Sequence, residues 1–402
     1  MTTERRYFTL NNPKQSAPAG TPRTGGRLRR LLWIVLILAA LAFALALILP
    51  RLVNPDRVLR FFRYMGLRDK DSYGCIHFES GANNVYAGFD DGLLVGTENG
   101  VTLFSLEGEQ KVQIQGSLPN PVLRSGGDVS LVFSPGSTYA ASVGADGAVL
   151  ADGARSGAVL NADVSFGGYT ACITAEPGYK SVATVLNPKQ EAIYRFSSRT
   201  RYLNACAVSE TGDYLAVSRL EEENGVYRSG IIILRTDLPL SDLEQDSAET
   251  ARLELNNQVI YALHFLDQTH LVAVAQDELV FLSVEGERLG ELPTRTERLT
   301  DYAVSEEGWM IAALESGSGS RVLTLDATGK ALGTLELPDR VRSVSAAKSY
   351  ATVLTESCVQ TYDRSLNAYD RSWDVLSASQ AIVRSDGTVL LVGNGETKFF
   401  IP

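Results

Sequence analysis

The residues best suited to chemistry are few. The chain holds four cysteines (Cys75, Cys172, Cys206, Cys358) and three histidines (His77, His264, His270). No two cysteines form a CxxC pair, and no Cys/His spacing matches a zinc module, so no metal site and no cofactor are expected. GxSxG, HExxH and P-loop motifs are missing, so no nucleophile elbow, zinc helix or phosphate cradle is expected either. Four Asp-Gly pairs, beginning at Asp91, Asp146, Asp152 and Asp386, suggest calcium at first sight. Without a DxDxDG loop they read instead as hairpin turns, where glycine accepts a positive φ. Ser385-Asp386-Gly387-Thr388 looks like part of an Asp-box, but Val389 stands where an aromatic belongs. The 44 acids of the body leave room for a carboxylate pair that spacing does not reveal. No catalytic residue is assigned, and the protein is expected not to be an enzyme.

What must position any site is organised around residues 31–50, LLWIVLILAALAFALALILP. Its nineteen uncharged residues up to Leu49 form a helix of roughly 30 Å, the thickness of a bilayer core. A run so long and so uniformly apolar argues against a buried core helix. Ala44-Leu45-Ala46 mimics a signal-peptidase site, but Leu47, Ile48 and Leu49 continue the apolar run past it. The segment reads as a retained signal anchor.

Residues 1–70 carry 13 Lys/Arg against Glu4, Asp56 and Asp69, a net of +10, so residues 71–402 carry −20 of the total −10. The basic end suits anionic headgroups, and the acidic body excludes nucleic acid as a partner. The basic residues flanking the apolar run balance, and Arg5, Arg6 and Lys14 tip the orientation towards tail inside and body outside. Asn54-Pro55-Asp56 starts a helix with Val58, Phe61, Phe62 and Met65 on one face and Arg57, Arg60 and Arg63 on the other. That suits the headgroup region. Trp33, Arg57, Arg60 and Arg63 are the expected membrane-interface residues, and the bilayer is one expected partner. The expected division is a disordered basic tail (1–30), a transmembrane helix (31–50), a juxtamembrane amphipathic helix and linker (51–72), and a folded body (73–402).

The body repeats. VSLVFSPGSTYAASVG from Val129, ACAVSETGDYLAVSRL from Ala205 and DYAVSEEGWMIAALES from Asp301 share one pattern. Weaker copies begin near Val85, Thr170, Ile260, Val341 and Ser379. Ser134, Ala175, Ser209, Leu266, Ser305, Ala346 and Ser385 then align, with gaps of 41, 34, 57, 39, 41 and 39. A period near 40 with four short strands per unit predicts an all-β β-propeller preceded by one transmembrane helix. Eight blades are favoured, with seven as the alternative and a pair of β-sandwiches a distant third. The last copy has only three strands. Cys75–Glu79, CIHFE, precedes the first copy and is expected to supply the missing outer strand, removing an exposed edge.

On these repeats the body resembles bacterial propellers of the YVTN, quinoprotein-like or WD40-like kind, in the arrangement of an uncharacterised family of single-pass, membrane-anchored propellers. It departs from WD40 units in lacking their GH and WD dipeptides. It also lacks regular docking tryptophans, its three being Trp33, Trp309 and Trp373. The resemblance implies architecture, not activity.

Cys172 and Cys206 fall at one offset in two consecutive copies, on what are expected to be inner strands of neighbouring blades. They are read either as a disulfide or as two buried thiols. The enlarged fourth copy places Glu221–Glu223 in a turn and adds an acidic stretch over 236–251 that is expected to be solvated. The expected function is an interaction or ligand-binding module at the cell envelope, single-pass and extracytoplasmic, with an envelope or membrane protein as partner. One alternative is a propeller enzyme acting on envelope glycans or peptides. Its sign is a cluster of carboxylates with Tyr or Arg at the channel mouth. The other is a cytoplasm-facing scaffold on the same anchor.

Overall fold

The computed structural model describes residues 75–223, 226–237, 249–256, 258–317, 319–375 and 377–402. The expected membrane helix, the amphipathic helix, Trp33, Arg57, Arg60, Arg63 and most of the acidic stretch lie outside the described residues.

Seven four-stranded antiparallel sheets and one three-stranded sheet follow one another along the chain. They are eight blades, in agreement with the favoured reading. The first strands are Val85–Phe89, Val122–Gly126, Ala158–Val164, Tyr202–Val208, Ile260–Phe265, Arg298–Ser305, Val341–Ala347 and Ala378–Val383. In most blades the second strands are almost wholly buried, as in Gly92–Thr97 and Tyr350–Thr355, while fourth strands such as Val149–Ala154 and Arg288–Pro293 are largely exposed. The sequence shows this as near-continuous apolar runs in the middle of a blade and alternation at its rim.

A lone twisted sheet leaves both faces wet, and the structure solves this between blades. Eight apolar clusters fill the junctions, one for each neighbouring pair. The eighth joins Leu390 and Val392 of the last blade to Leu93 and Val95 of the first, with Ile76 between them at 0% exposure. The ring therefore closes. Cys75–Glu79 completes the last blade as expected: His77 bridges Glu396 antiparallel, Phe78 N–H donates to Gly395 O at 3.0 Å, and Thr397 N–H donates to Ile76 O at 3.0 Å.

Two copies are out of phase with the sequence reading. Val129–Phe133 and Thr170–Ala175 are second strands, not first strands. The cause is a turn that recurs at different places in the blade. In Ser-x-x-Gly, the serine carbonyl accepts the N–H of a glycine at positive φ, as at Ser165/Gly168, Ser209/Gly212 and Ser305/Gly308 between first and second strands. Ser105/Gly108 and Ser283/Gly286 make the same turn between third and fourth strands. Ser134 sits in a second-to-third turn, where Ser137 N–H reaches its carbonyl. Aligning on serine therefore aligns turns, not blade positions.

Cys172 accordingly lies on a second strand and Cys206 on a first strand, and both are free, buried thiols. The Cys206 thiol points at Ala171 O, 3.6 Å away. Burial pushes Cys172 up to about 11 and Cys206 well above its ordinary value, so both are inert. Glu221–Glu223 end a ten-residue strand instead of forming a turn, and Glu221 pairs with Arg201 and Arg219 at 2.8 Å each. The Asp-Gly pairs at Asp146 and Asp386 are turns with glycine at positive φ, but Asp152-Gly153 lies within a strand, where Asp152 accepts the Tyr139 hydroxyl at 2.7 Å.

Candidate functional site

The first strands line the central channel, and their polar side chains do two jobs there. The first is to clasp the next blade. Asp301 accepts the Val344 N–H at 2.7 Å. Ser343 and Ser345 accept the N–H groups of Ala381 and Val383 at 2.9 and 3.1 Å. Asn161 donates to Asn204 O at 2.9 Å, and Asn204 in turn donates to Ile260 O. Neighbouring first strands are not ladder partners, so these side chains satisfy backbone groups that a buried channel wall otherwise orphans.

The second job is to line a cavity of about 400 Å³ bounded by blades 2 to 6, where first strands meet their turns. At its centre, His264 Nε2 lies 3.1 Å from the Tyr302 hydroxyl, and His264 Nδ1 lies 3.6 Å from Asp163 Oδ1. Asp163 Oδ2 receives the Val208 N–H at 3.4 Å. With the ring proton on Nδ1, towards Asp163, Nε2 is free to accept from the Tyr302 hydroxyl. Arg124 enters from blade 2, and Phe166 and Phe265 supply apolar wall.

Burial pushes the Tyr302 phenol up to about 12. Arg124 opposes the shift, and Asp163 and Asp301 add to it. Burial also raises the Asp301 carboxyl against the N–H groups of Val344 and Tyr302 that favour its charge. Tyr302 is therefore a neutral hydroxyl at physiological pH, a group that orients a ligand and not one that takes a proton from it. The cavity offers a cation, a carboxylate, an imidazole, a phenol and aromatic wall within one small volume, the make-up of a ligand pocket.

Sequence reasoning assigned none of these five polar residues to a site, although it noted His264 as a histidine and Asp301 as the start of a repeat. Arg124, Asp163, His264, Asp301 and Tyr302 come from four different blades and share no motif. The available signal was their place on inner strands, and the phase slip in blades 2 and 3 hid it for Arg124 and Asp163.

Residues 68–365 match the model of DUF5711, described as a family of unknown function. No curated protein matches the sequence. Among solved structures, the C-terminal WD40 domain of Sif2 is similar at 11% identity, covering 82% of this chain and 99% of that one, with a TM-score of 0.54. BamB from Moraxella catarrhalis is 13% identical, covering 82% of this chain and 96% of that one, with a TM-score of 0.48. AztD from Citrobacter koseri, in its apo form, is 13% identical over 74% of this chain and 85% of that one, with a TM-score of 0.43. At these identities the likeness is one of fold.

Proposed function

The chain belongs to the DUF5711 family, and on that footing we propose that it is a membrane-anchored, extracytoplasmic β-propeller that binds a ligand or protein partner at the cell envelope through its channel mouth. The observation that carries the reading is the cavity of about 400 Å³ in which Asp163, His264 and Tyr302 meet beside Arg124. Its size suits a small molecule or the tip of a partner loop. The apolar run at 31–50 and the basic tail before it support the anchor and its orientation.

Catalysis is a second reading, because two carboxylates with Tyr302 and Arg124 at the channel mouth are the pattern an enzyme acting on glycans or peptides calls for. Binding ranks first on chemical grounds. Asp301 is committed to a backbone N–H of the next blade, Asp163 faces His264, and Tyr302 stays protonated.

Two experiments test the proposal. A photo-crosslinking residue is placed at Tyr302 and, as a control, at exposed Trp373 on the outer rim, in cells expressing the full chain. A discrete adduct from position 302 alone is expected, and adducts from both positions or neither sink the channel-mouth site. Protease treatment of intact cells carrying a C-terminal tag is expected to remove the tag. Its survival overturns the outward orientation in favour of a scaffold on the inner leaflet.

A further inference from the structure

We propose that the seam closing the ring binds a divalent transition-metal ion of the zinc type, with Cys75 Sγ, a His77 ring nitrogen and a Glu396 carboxylate oxygen as its three protein donors. Residues 319 positions apart become neighbours only because the closing segment pairs with the last blade. One donor atom from each of the three residues lies within 4.8 Å of the others. Cys75 Sγ is already 3.9 Å from Glu396 Oε2, to which its thiol points.

The local build favours such a site. Cys75 and His77 are two apart on an extended segment, so both project to the same side, while Ile76 between them is buried in the core at 0% exposure. The backbone beneath is pinned by the Phe78–Gly395 and Thr397–Ile76 hydrogen bonds, and Ile76 N–H donates to Thr397 Oγ1 at 3.2 Å. The nearby cation, Lys398, is drawn off by Asp374 at 3.0 Å and does not fill the place of the ion. Cys75 and His77 are exposed, so water reaches the fourth position of a tetrahedral ion.

The donor set selects the class of ion. Thiolate, imidazole and carboxylate together suit zinc and its neighbours, whereas calcium and magnesium require oxygen ligands. Tetrahedral zinc bonds of about 2.0–2.3 Å place donors roughly 3.3–3.6 Å apart, which small side-chain rotations reach from the observed spacing. Binding displaces the thiol proton, so the ion replaces the Cys75–Glu396 contact with bonds from both to one centre. Such an ion ties the first described residues of the ring to its last blade.

The test uses the full chain, purified in detergent and stripped with a chelator, with cobalt(II) and zinc(II) as probes. One equivalent of cobalt is expected to produce a thiolate-to-metal charge-transfer band that zinc then abolishes, and zinc is expected to raise the melting temperature. Cys75→Ser should lose both the band and the zinc-dependent rise, while Cys358→Ser keeps both. His77→Asn and Glu396→Gln leave the thiol in place and should weaken cobalt binding about tenfold or more. A band that is missing in the wild type, or that survives Cys75→Ser, overturns the proposal. Wild-type cobalt affinity in both His77→Asn and Glu396→Gln overturns it as well, whatever Cys75→Ser does to the seam.

Discussion

Tyr194 lies at 0% exposure between blades 3 and 4, with its hydroxyl lacking a hydrogen-bond partner, and burial pushes its phenol up to about 12. An unpaired buried hydroxyl costs its full desolvation, so Tyr194→Phe is expected to raise the unfolding free energy by about 1 kcal/mol in urea titrations. Asp326 shows the opposite balance. Burial acts to raise its carboxyl, but the Thr328 hydroxyl and the N–H groups of Lys330 and Thr328 outweigh it and hold the group below 3.8. A folded value below the unfolded one supplies stability that is complete above the unfolded value and is lost as pH falls through the folded one. Asp326→Asn keeps an acceptor and removes the titration. Its stability is therefore expected to fall less steeply than that of the wild type below about pH 4, read from urea midpoints across that range. These residues were not legible in the sequence, because burial and partner geometry, and not residue type, set their energies.

At the scale of the element, turns and close approaches decide. Lys348 holds φ 47 in the turn after the first strand of blade 7, a conformation that costs a residue with a Cβ about 1 kcal/mol. Lys348→Gly is expected to recover roughly that amount, while its carbonyl goes on accepting from Trp309 Nε1 and Ser305 Oγ. Gly126 closes the first strand of blade 2, where a Cβ would stand 2.3 Å from Ser165 O and 2.5 Å from Val164 O. Gly126→Ala must push blades 2 and 3 apart at the channel, so a loss of about 1–3 kcal/mol is expected in thermal or urea melts. Here the sequence is half legible. Ser-x-x-Gly announces a turn without ambiguity, yet the same turn serves different blade positions. Ser134 and Ala175 therefore appeared as first-strand anchors when they stand where second strands end, Ser134 in the turn and Ala175 as the last strand residue. The pattern fixes what a segment forms and leaves open which place it takes.

For the whole molecule, closure was the most legible feature. Three strands at the end of the chain and one orphan segment, Cys75–Glu79, had a single economical arrangement, and the antiparallel bridge between His77 and Glu396 with its flanking hydrogen bonds is that arrangement. The channel-mouth cavity was not legible, because it needs the ring to be closed and its phase correct before Asp163, His264 and Tyr302 meet. Removing everything ahead of Asn83 strips the outer strand from the last blade and Ile76 from the core. The edge at residues 395–397 is then left open to pair with other chains. Such a chain is expected to self-associate in light scattering, while one beginning at Gly66 stays monomeric.

The closing segment has a mechanical consequence. Among the described residues the chain enters the ring at Cys75, so a pull applied at Cys75 reaches the propeller at this one strand. The load falls first on the hydrogen bonds to residues 395–397 and on the seat of Ile76, before any blade-to-blade clasp bears force. The seam is thus the fuse of the molecule. Under such a pull it is expected to open before the channel deforms.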